Sequence, residues 1–151
     1  MENVKAKNVS FEKYVHEGNR YMNQLSEKLG HPDEQNRAYI LLKAVLQTVR
    51  DRITLSESMD LMSQLPLILR GVYTDQWKYS EKPPLRYDTI EEMKEEVKKV
   101  QSRQGEQEFD WNKSTKELIS IVLNSLKEFV SEGQIAHVRA QMPYEIKELI
   151  K

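Results

Sequence analysis

The residues that could bind a ligand concentrate around the segment 75–87, which carries a tryptophan, two tyrosines and two consecutive prolines. Arginines lie within this segment and before it, and guanidinium groups beside aromatic rings suit an anionic ligand, an aromatic ligand or a peptide. An alternative stays open, in which the rings pack back over the helices and join the two halves of the chain. The candidate cleft residues are Arg52, Arg70, Tyr73, Trp77 and Arg86.

Motifs for catalysis or metal binding do not stand out. The histidines are His16, His31 and His137, and the nearest approach to a Glu-x-x-His motif places Gln134 three residues before His137. The five glycines are scattered and form no phosphate-binding loop, and no Gly-x-Ser-x-Gly motif occurs. We predict no catalytic residue, cofactor or metal, while an enzyme site assembled from distant residues stays open.

The composition limits the class of protein. Among 151 residues, 23 basic and 24 acidic side chains nearly cancel, so no net charge attracts nucleic acid or anionic lipid. Cysteine is absent, which removes disulfides and thiolate chemistry. The start MENVKAKNVS is polar where a signal peptide is apolar, and runs such as LPLIL are too short to span a bilayer. We predict a soluble cytoplasmic protein that binds neither nucleic acid nor membrane.

An internal repeat sets the elements that would position these residues. Aligning Pro66 with Pro143 gives an offset of 77 that holds without a gap over 42 positions. The repeat predicts two copies of one helical unit, at about 10–74 and 88–151, joined by the linker 75–87. We expect both copies to pack into one compact, single-domain, all-α bundle. The sequence leaves open whether a twofold axis or a translation relates them.

The longest amphipathic pattern predicts one long helix in the first copy. At about 100° per residue its apolar positions fall on one arc, and Lys43, Gln47, Arg50 and Asp51 lie opposite, on the expected solvated face. Arg52 falls inside the arc and needs a carboxylate or a route to water. The arc consists of Ala38, Leu41, Leu42, Val45, Leu46, Val49 and Ile53.

The helix boundaries have their own signals. Thr54–Glu57 and Ser131–Gln134 each fit a capping box, in which the first hydroxyl accepts from a backbone amide and the last side chain reaches back. The tripeptides QLP, at Gln64–Pro66, and QMP, at Gln141–Pro143, predict breaks between helices. We expect the two glutamines to satisfy carbonyls freed at a helix end rather than perform chemistry.

Another amphipathic segment precedes each copy. The first begins with Ser10 as its cap and closes at Gly30. The second begins at Asp88 or Thr89, and its narrower stripe predicts shallower burial. The polar segment QSRQGEQEFDW, residues 101–111, is predicted to be a loop. The stripes are Phe11, Val15, Gly18, Met22, Leu25 and Leu29 in the first segment, and Ile90, Met93, Val97 and Val100 in the second.

Differences between the two copies indicate a second candidate surface. Some positions are apolar in the first copy and charged or smaller in the second, and an apolar surplus of this kind needs cover. We expect the second half of the chain to bury it, with a protein partner or a weak symmetric homodimer as the alternatives. The candidate interaction patch is Leu55, Met59, Met62 and Ile68, whose counterparts are Glu132, Ala136, Arg139 and Glu145.

A run of residues between Ala38 and Trp77 carries a family resemblance: Ala38, Val45, Leu46, Arg52, Glu57, Leu61, QLP at Gln64–Pro66, RGVY at Arg70–Tyr73, and Trp77. On these residues the chain resembles, over nearly its whole length, a bacterial family labelled domain of unknown function 2267. The resemblance implies two related helical halves and a bacterial origin, and it supplies no activity and no catalytic residue. A glycine is expected just ahead of the tryptophan in that family, where this chain has Gln76.

Two functions stay open from the sequence. The first is a non-enzymatic protein-interaction or scaffold module that uses its helix faces, which fits the absent catalytic motifs, the balanced charge and the one-sided apolar surplus. The second is a small-molecule-binding protein or an enzyme with its site at the Arg/aromatic linker.

Overall fold

The computed structural model of the chain describes residues 9–78, 83–105 and 110–150. Across these ranges the backbone forms α-helices and one 3-10 turn, without a β-strand, and the helices pack into one compact bundle. The predicted all-α fold is therefore confirmed. The helices are α1 (Glu12–Lys28), α2 (Gln35–Arg50), α3 (Leu55–Ser63), α4 (Leu67–Thr74), α5 (Ile90–Arg103), α6 (Thr115–Ser125) with the 3-10 turn Leu126–Glu128, α7 (Glu132–Ala140) and α8 (Tyr144–Lys147).

Helix α2 is the centre of the bundle. It packs against α1, α4, α5 and α6, and all seven residues of its predicted apolar arc are buried. Contact on several sides also buries Lys43, Gln47 and Arg50, and Asp51 is half-buried. The prediction of a solvated polar face is wrong for the first three, because the C-terminal end of α4 lies across that face.

Helix α5 packs against α2. Its N-terminal cap is Thr89, whose hydroxyl oxygen accepts from the amide of Glu92 at 3.1 Å, as predicted. The expectation of shallower burial is wrong, because Met93 and Val97 are fully buried and Val100 is buried. The predicted loop, residues 101–111, is wrong at its start, because residues 101–103 form the last part of α5. Residues 106–109 of this predicted loop lie outside the described ranges.

Helix α1 buries less of its apolar stripe than the sequence predicts. Leu25 and Leu29 are buried as expected, but Phe11 and Val15 remain 62% and 50% exposed. The buried ring of this helix is that of Tyr21, whose hydroxyl lies 2.6 Å from the Ser125 hydroxyl on α6. The position before the first helical residue is occupied by Phe11, one residue after the predicted cap Ser10.

The predicted capping boxes of α3 and α7 form only in part. The hydroxyl oxygen of Thr54 accepts from the amide of Glu57 at 3.2 Å, and that of Ser131 accepts from the amide of Gln134 at 3.1 Å. The return bonds to the caps are absent among the described residues. Instead, the side-chain amide of Gln134 donates to the carboxylate of Glu57, which joins α7 to α3.

The two glutamines before the prolines supply the missing return bonds, each to the other half of the chain. The side-chain oxygen of Gln64 accepts from the amide of Ser131 at 2.7 Å, and that of Gln141 accepts from the amide of Thr54 at 2.8 Å. Their predicted structural role is thus confirmed. The expected partners were wrong, because these side-chain oxygens accept from amides at a helix start rather than satisfy carbonyls at a helix end.

Both predicted proline breaks are confirmed. Helix α3 ends before Gln64 and α4 starts after Pro66, and α7 and α8 are separated in the same way around Gln141 and Pro143. The reciprocal bonds of the glutamines are what two copies related by a local twofold would form. They support the predicted repeat, which stays a prediction.

Candidate functional site

The polar side chains of α2 bind the C-terminal end of α4. Lys43 Nζ lies 2.5 Å from an oxygen of the Asp75 carboxylate, and Gln47 Nε2 donates to the Asp75 carbonyl at 3.1 Å. Arg50 Nη1 donates to the carbonyls of Tyr73 and Asp75 at 2.9 and 3.1 Å. A helix end leaves carbonyls without intrahelical partners, and Gln47 and Arg50 satisfy such carbonyls here, while Lys43 pairs with the Asp75 carboxylate. Together the three side chains fix the path of the chain beyond α4.

The charge of Arg50 is neutralised within its own surroundings. Its Nε and Nη2 donate to the two carboxylate oxygens of Asp51 at 2.8 and 3.2 Å, a bidentate arrangement. The Arg50 side chain is 5% exposed. A buried guanidinium requires such pairing, so we assign Arg50 a positioning role rather than a role in binding an anion.

Arg50 also positions Trp77. The guanidinium carbon lies 5.6 Å from the centre of the indole ring, and the Tyr73 ring meets that indole edge-on at 5.9 Å. The chain reaches Trp77 through Gln76, whose φ of 57° lies in the left-handed region that favours glycine. Gln76 therefore adopts this left-handed turn at a conformational cost.

An open cleft of about 1020 Å³ lies beside Trp77. One wall is the C-terminal end of α5, and the other combines the end of α2 with the segment after α4. Lys78 and Arg103 are exposed at this cleft, and neither forms an ion pair with another described residue. Since Asp51 cancels Arg50, Lys78 and Arg103 give the described lining of the cleft a positive charge. The lining residues are Gln47, Arg50, Asp51, Gln76, Trp77, Lys78, Pro84, Val100, Arg103 and Gln104.

The structure does not bring the five predicted cleft residues together, and of these only Trp77 lines the cleft. Tyr73 is fully buried, and its hydroxyl lies 2.7 Å from the Ser58 hydroxyl. Burial raises the pKa of Tyr73 well above its ordinary value, so this phenol stays neutral and is unsuited to act as a base. Arg70 donates to the carbonyls of Leu65 and Ser63 at 2.8 and 3.0 Å and thereby closes the end of α3.

The other two predicted arginines line a smaller hollow of about 400 Å³, together with Asp88. Arg52 donates to the carbonyls of Tyr87 and Gln141, both at 3.1 Å, and lies 3.7 Å from the Asp88 carboxylate. The predicted need for a partner inside the arc is met mainly by these carbonyls. Arg86 is exposed at the hollow. Whether Arg52 and Arg86 bind a ligand stays a prediction.

The aromatic linker does pack back over the helices at the residues described. Tyr87 is buried, and its hydroxyl donates to the Thr48 carbonyl of α2 at 3.0 Å. Tyr79 lies outside the described residues. The structural alternative for the linker rings is thus supported at Tyr87 and, in part, at the half-buried Trp77.

Sequence reasoning missed Lys78 and Arg103. Both are exposed charges on polar segments, and nothing in their local pattern separates them from other surface lysines and arginines. The usable signal was the neighbouring Trp77, since an aromatic residue among polar residues marks a place where the chain is held against the bundle.

The predicted interaction patch is buried only in part within the chain. Met59 is 50% and Ile68 is 42% exposed, while Leu55 and Met62 are half-buried. The expectation of burial within the chain is therefore wrong for Met59 and Ile68. For Met59 the reason is geometric. The face of α3 that meets α7 is marked by Glu57, and Met59 lies about 160° around the helix from it, at about 100° per residue, so α7 does not cover Met59. The role of the patch stays a prediction.

The histidines do not assemble a metal site. The Nε2 of His31 lies 3.2 Å from the Trp111 carbonyl oxygen. The imidazole of His31 and the indole of Trp111 meet edge-on, with ring centres 5.4 Å apart. His16 and His137 are exposed. In the described ranges no three side chains of the metal-binding types cluster together, and none of the described helices has both the length and the apolar character needed to cross a bilayer.

Comparison with known proteins gives one family. The model of the family described as "Uncharacterized conserved protein (DUF2267)" matches residues 18–149. The match covers the cleft, the patch and all eight helices except the first turns of α1. No curated protein matches the chain.

Proposed function

Because the chain belongs to the family of uncharacterized conserved proteins DUF2267, whose description carries no activity, we propose a function from geometry: a non-enzymatic protein-interaction module. The proposed contact is the apolar stripe, which we define as Phe11, at the position before α1, Val15 on α1 and Ile68 on α4. Its partner is an amphipathic segment of another protein.

The observation that carries this proposal is the exposure of the apolar stripe. Phe11 is 62%, Val15 50% and Ile68 42% exposed. Ile68 packs over Gly18, where an added Cβ atom would lie 3.3 Å from an Ile68 methyl carbon. Phe11, Val15 and Gly18 recur at helical spacing on one face of α1, so the three apolar side chains line up along it. Such a row at a helix surface is typical of a site that receives another apolar surface.

The size of the apolar stripe selects the kind of partner. Three half-exposed apolar side chains offer a few hundred Å² at most, whereas a stable interface buries on the order of 800 Å² per partner. The stripe is thus too small for an obligate dimer. It suits a short amphipathic helix that places two or three apolar anchors along it, and association with a second copy becomes an outcome of the test.

Site-specific photo-crosslinking tests the proposal. A photoreactive phenylalanine replaces Phe11 in the full chain, and the matched control carries it at Tyr144, which is 77% exposed on α8. In lysate of the source cell we expect one defined protein to crosslink from position 11 and not from position 144, and the crosslink to disappear in a Val15→Glu background. Crosslinks that are equal at both positions, or that survive Val15→Glu, contradict the proposal. A crosslinked dimer of the chain assigns the stripe to self-association instead.

The cleft beside Trp77 favours a second candidate function, the binding of a small molecule. It is concave and open, and it presents the aromatic ring of Trp77 and the exposed cations Lys78 and Arg103 within one site, as ligand-binding sites commonly do. A thermal-shift panel of metabolites tests this candidate, since a ligand that binds the folded chain raises its melting temperature. A panel in which no compound shifts the wild type more than a Trp77→Leu variant contradicts it.

A further inference from the structure

We propose that the cleft beside Trp77 binds a small anion that carries a flat aromatic ring, of the class to which nucleoside monophosphates belong, and that Lys78 and Arg103 hold its charged group. This inference rests on the second candidate function, because it names the ligand class of that same cleft.

The charge of the cleft indicates an anion. Among the described residues, three cationic side chains and one carboxylate line it. Arg50 and Asp51 are bound to each other through two hydrogen bonds at 2.8 and 3.2 Å, so they contribute no net charge. Lys78 and Arg103 remain, both exposed and without an ion-pair partner among the described residues. They stand on different segments, one after α4 and the other at the end of α5.

The ring of Trp77 indicates an aromatic group on the ligand. This indole is half-buried and lines the cleft, so part of its surface stays open there. Its orientation is fixed before any ligand binds, by the edge-on contact with Tyr73 and by the guanidinium of Arg50. A fixed ring offers a stacking surface at little entropic cost, and stacking on an indole does not depend on the identity of the base.

The remaining polar groups limit the size of the ligand. Gln76 and Gln104 place side-chain amides at the cleft, and amides donate to and accept from the edge of a heterocycle. Two cations match one phosphate group, whereas an oligonucleotide requires a longer basic track. The charge balance of the chain as a whole, 23 basic against 24 acidic residues, also disfavours nucleic acid.

Nuclear magnetic resonance of the full chain tests the inference through the indole N–H signals of its two tryptophans. The probes are adenosine monophosphate, adenosine and inorganic phosphate. The Trp77 signal is assigned by its loss in Trp77→Phe. We expect adenosine monophosphate to shift this signal in a saturable way, while adenosine and phosphate each bind at least tenfold more weakly, because each offers only one of the two contacts.

Substitutions test whether Lys78 and Arg103 bind the charged group of the ligand. Lys78→Gln and Arg103→Gln should each weaken binding of adenosine monophosphate about fivefold to tenfold, and Lys98→Gln, an exposed lysine of α5 outside the cleft, should leave it unchanged. Equal effects of all three variants, or equal affinities for adenosine and adenosine monophosphate, overturn the inference. Tighter binding of an acidic peptide or of a single-stranded oligonucleotide also overturns it. If a neutral compound of the metabolite panel binds at Trp77 instead, the ligand class is wrong and the second candidate function stands. If no compound shifts the signal, both fail.

Discussion

The side-chain oxygen of Gln64 accepts a hydrogen bond from the backbone amide of Ser131, 2.7 Å away, and so joins the end of α3 to the start of α7. Gln141 does the same for Thr54 at 2.8 Å. The two pairs stand 77 positions apart in the chain. A local twofold between α3 and α7 would produce this exchange, because a translation would not return the bond.

Removing either glutamine should weaken the folded state. In Gln64→Ala the Ser131 amide loses its acceptor, and we expect a loss of about 0.5–1.5 kcal/mol in the free energy of unfolding, since the bond is exposed and water replaces it in part. Gln141→Ala should lose a similar amount. Urea denaturation measures both. The control is Gln24→Ala on α1, where an exposed contact with Arg20 is lost. Glutamine variants as stable as this control contradict the joining role.

The left-handed turn at Gln76 predicts that Gln76→Gly and Gly30→Gln change the free energy of unfolding in opposite directions. Gln76→Gly should raise the free energy of unfolding by about 1 kcal/mol, because glycine adopts a φ of 57° without steric cost. Gly30→Gln should lower it by about 1 kcal/mol or more, since Gly30 has a φ of 85°. The Cβ added at Gly30 comes no nearer than 3.8 Å to the Lys113 side chain, so that loss is conformational rather than steric. Thermal unfolding measures both, and changes of the same sign refute this account of the turn.

The sequence predicted those parts of the fold that local pattern decides. The apolar arc of α2, the breaks around Pro66 and Pro143, and the Thr89 cap follow from periodicity and from backbone sterics, and they are found as expected. The charged face of α2 could not be predicted in this way. Lys43 and Arg50 are buried because another helix ends against them, and where a helix ends in space is a tertiary property.

The candidate sites show the same limit. Periodicity places Phe11 and Leu25 on one apolar stripe but does not show how much of that stripe other helices bury. Leu25 is buried, whereas Val15 and Phe11, nearer the N-terminus, are at least half exposed. The cleft draws Arg103 and Trp77 together from segments far apart in the chain. From the sequence we predicted only that a site would lie near Trp77, and not that Arg103 would line it.

The exposure of Met59 predicts a small cost for its removal. Met59→Ala should lower the free energy of unfolding by less than about 1 kcal/mol, because half of the side chain is already in water. Leu61→Ala, two residues further along α3, should lower it by about 2–5 kcal/mol, because that side chain is 3% exposed. Chemical denaturation compares the two. Equal losses would show that Met59 is covered in solution, by a second copy or by another part of the chain.

The capping boxes at the starts of α5 and α6 predict that the fold loses stability at low pH, a loss that we call the acid limb. Hydrogen bonds from the backbone amide of Asp88 lower the pKa of Glu92, and those from Ser114 lower the pKa of Glu117, both from 4.5. The unfolded chain therefore binds more protons between the folded and unfolded pKa values. The stabilisation is present above about pH 4.5 and is lost as pH falls through the lowered folded values.

Melting temperatures between pH 6 and pH 3 check this acid limb. Glu92→Gln should flatten it, because glutamine keeps the capping geometry without a carboxylate to protonate. The control is Glu95→Gln on the same helix, outside the box. If both variants follow the wild-type curve, the cap does not contribute to the acid limb.

The affinity of the crosslinked partner for variants of the apolar stripe tests the central claim most directly. Isothermal titration compares the wild type with Val15→Glu and with the control Tyr144→Glu, both at exposed positions where a substitution changes stability by about 0.5 kcal/mol or less. The account predicts at least tenfold weaker binding for Val15→Glu and unchanged binding for Tyr144→Glu. Binding of Val15→Glu as tight as that of the wild type would contradict it.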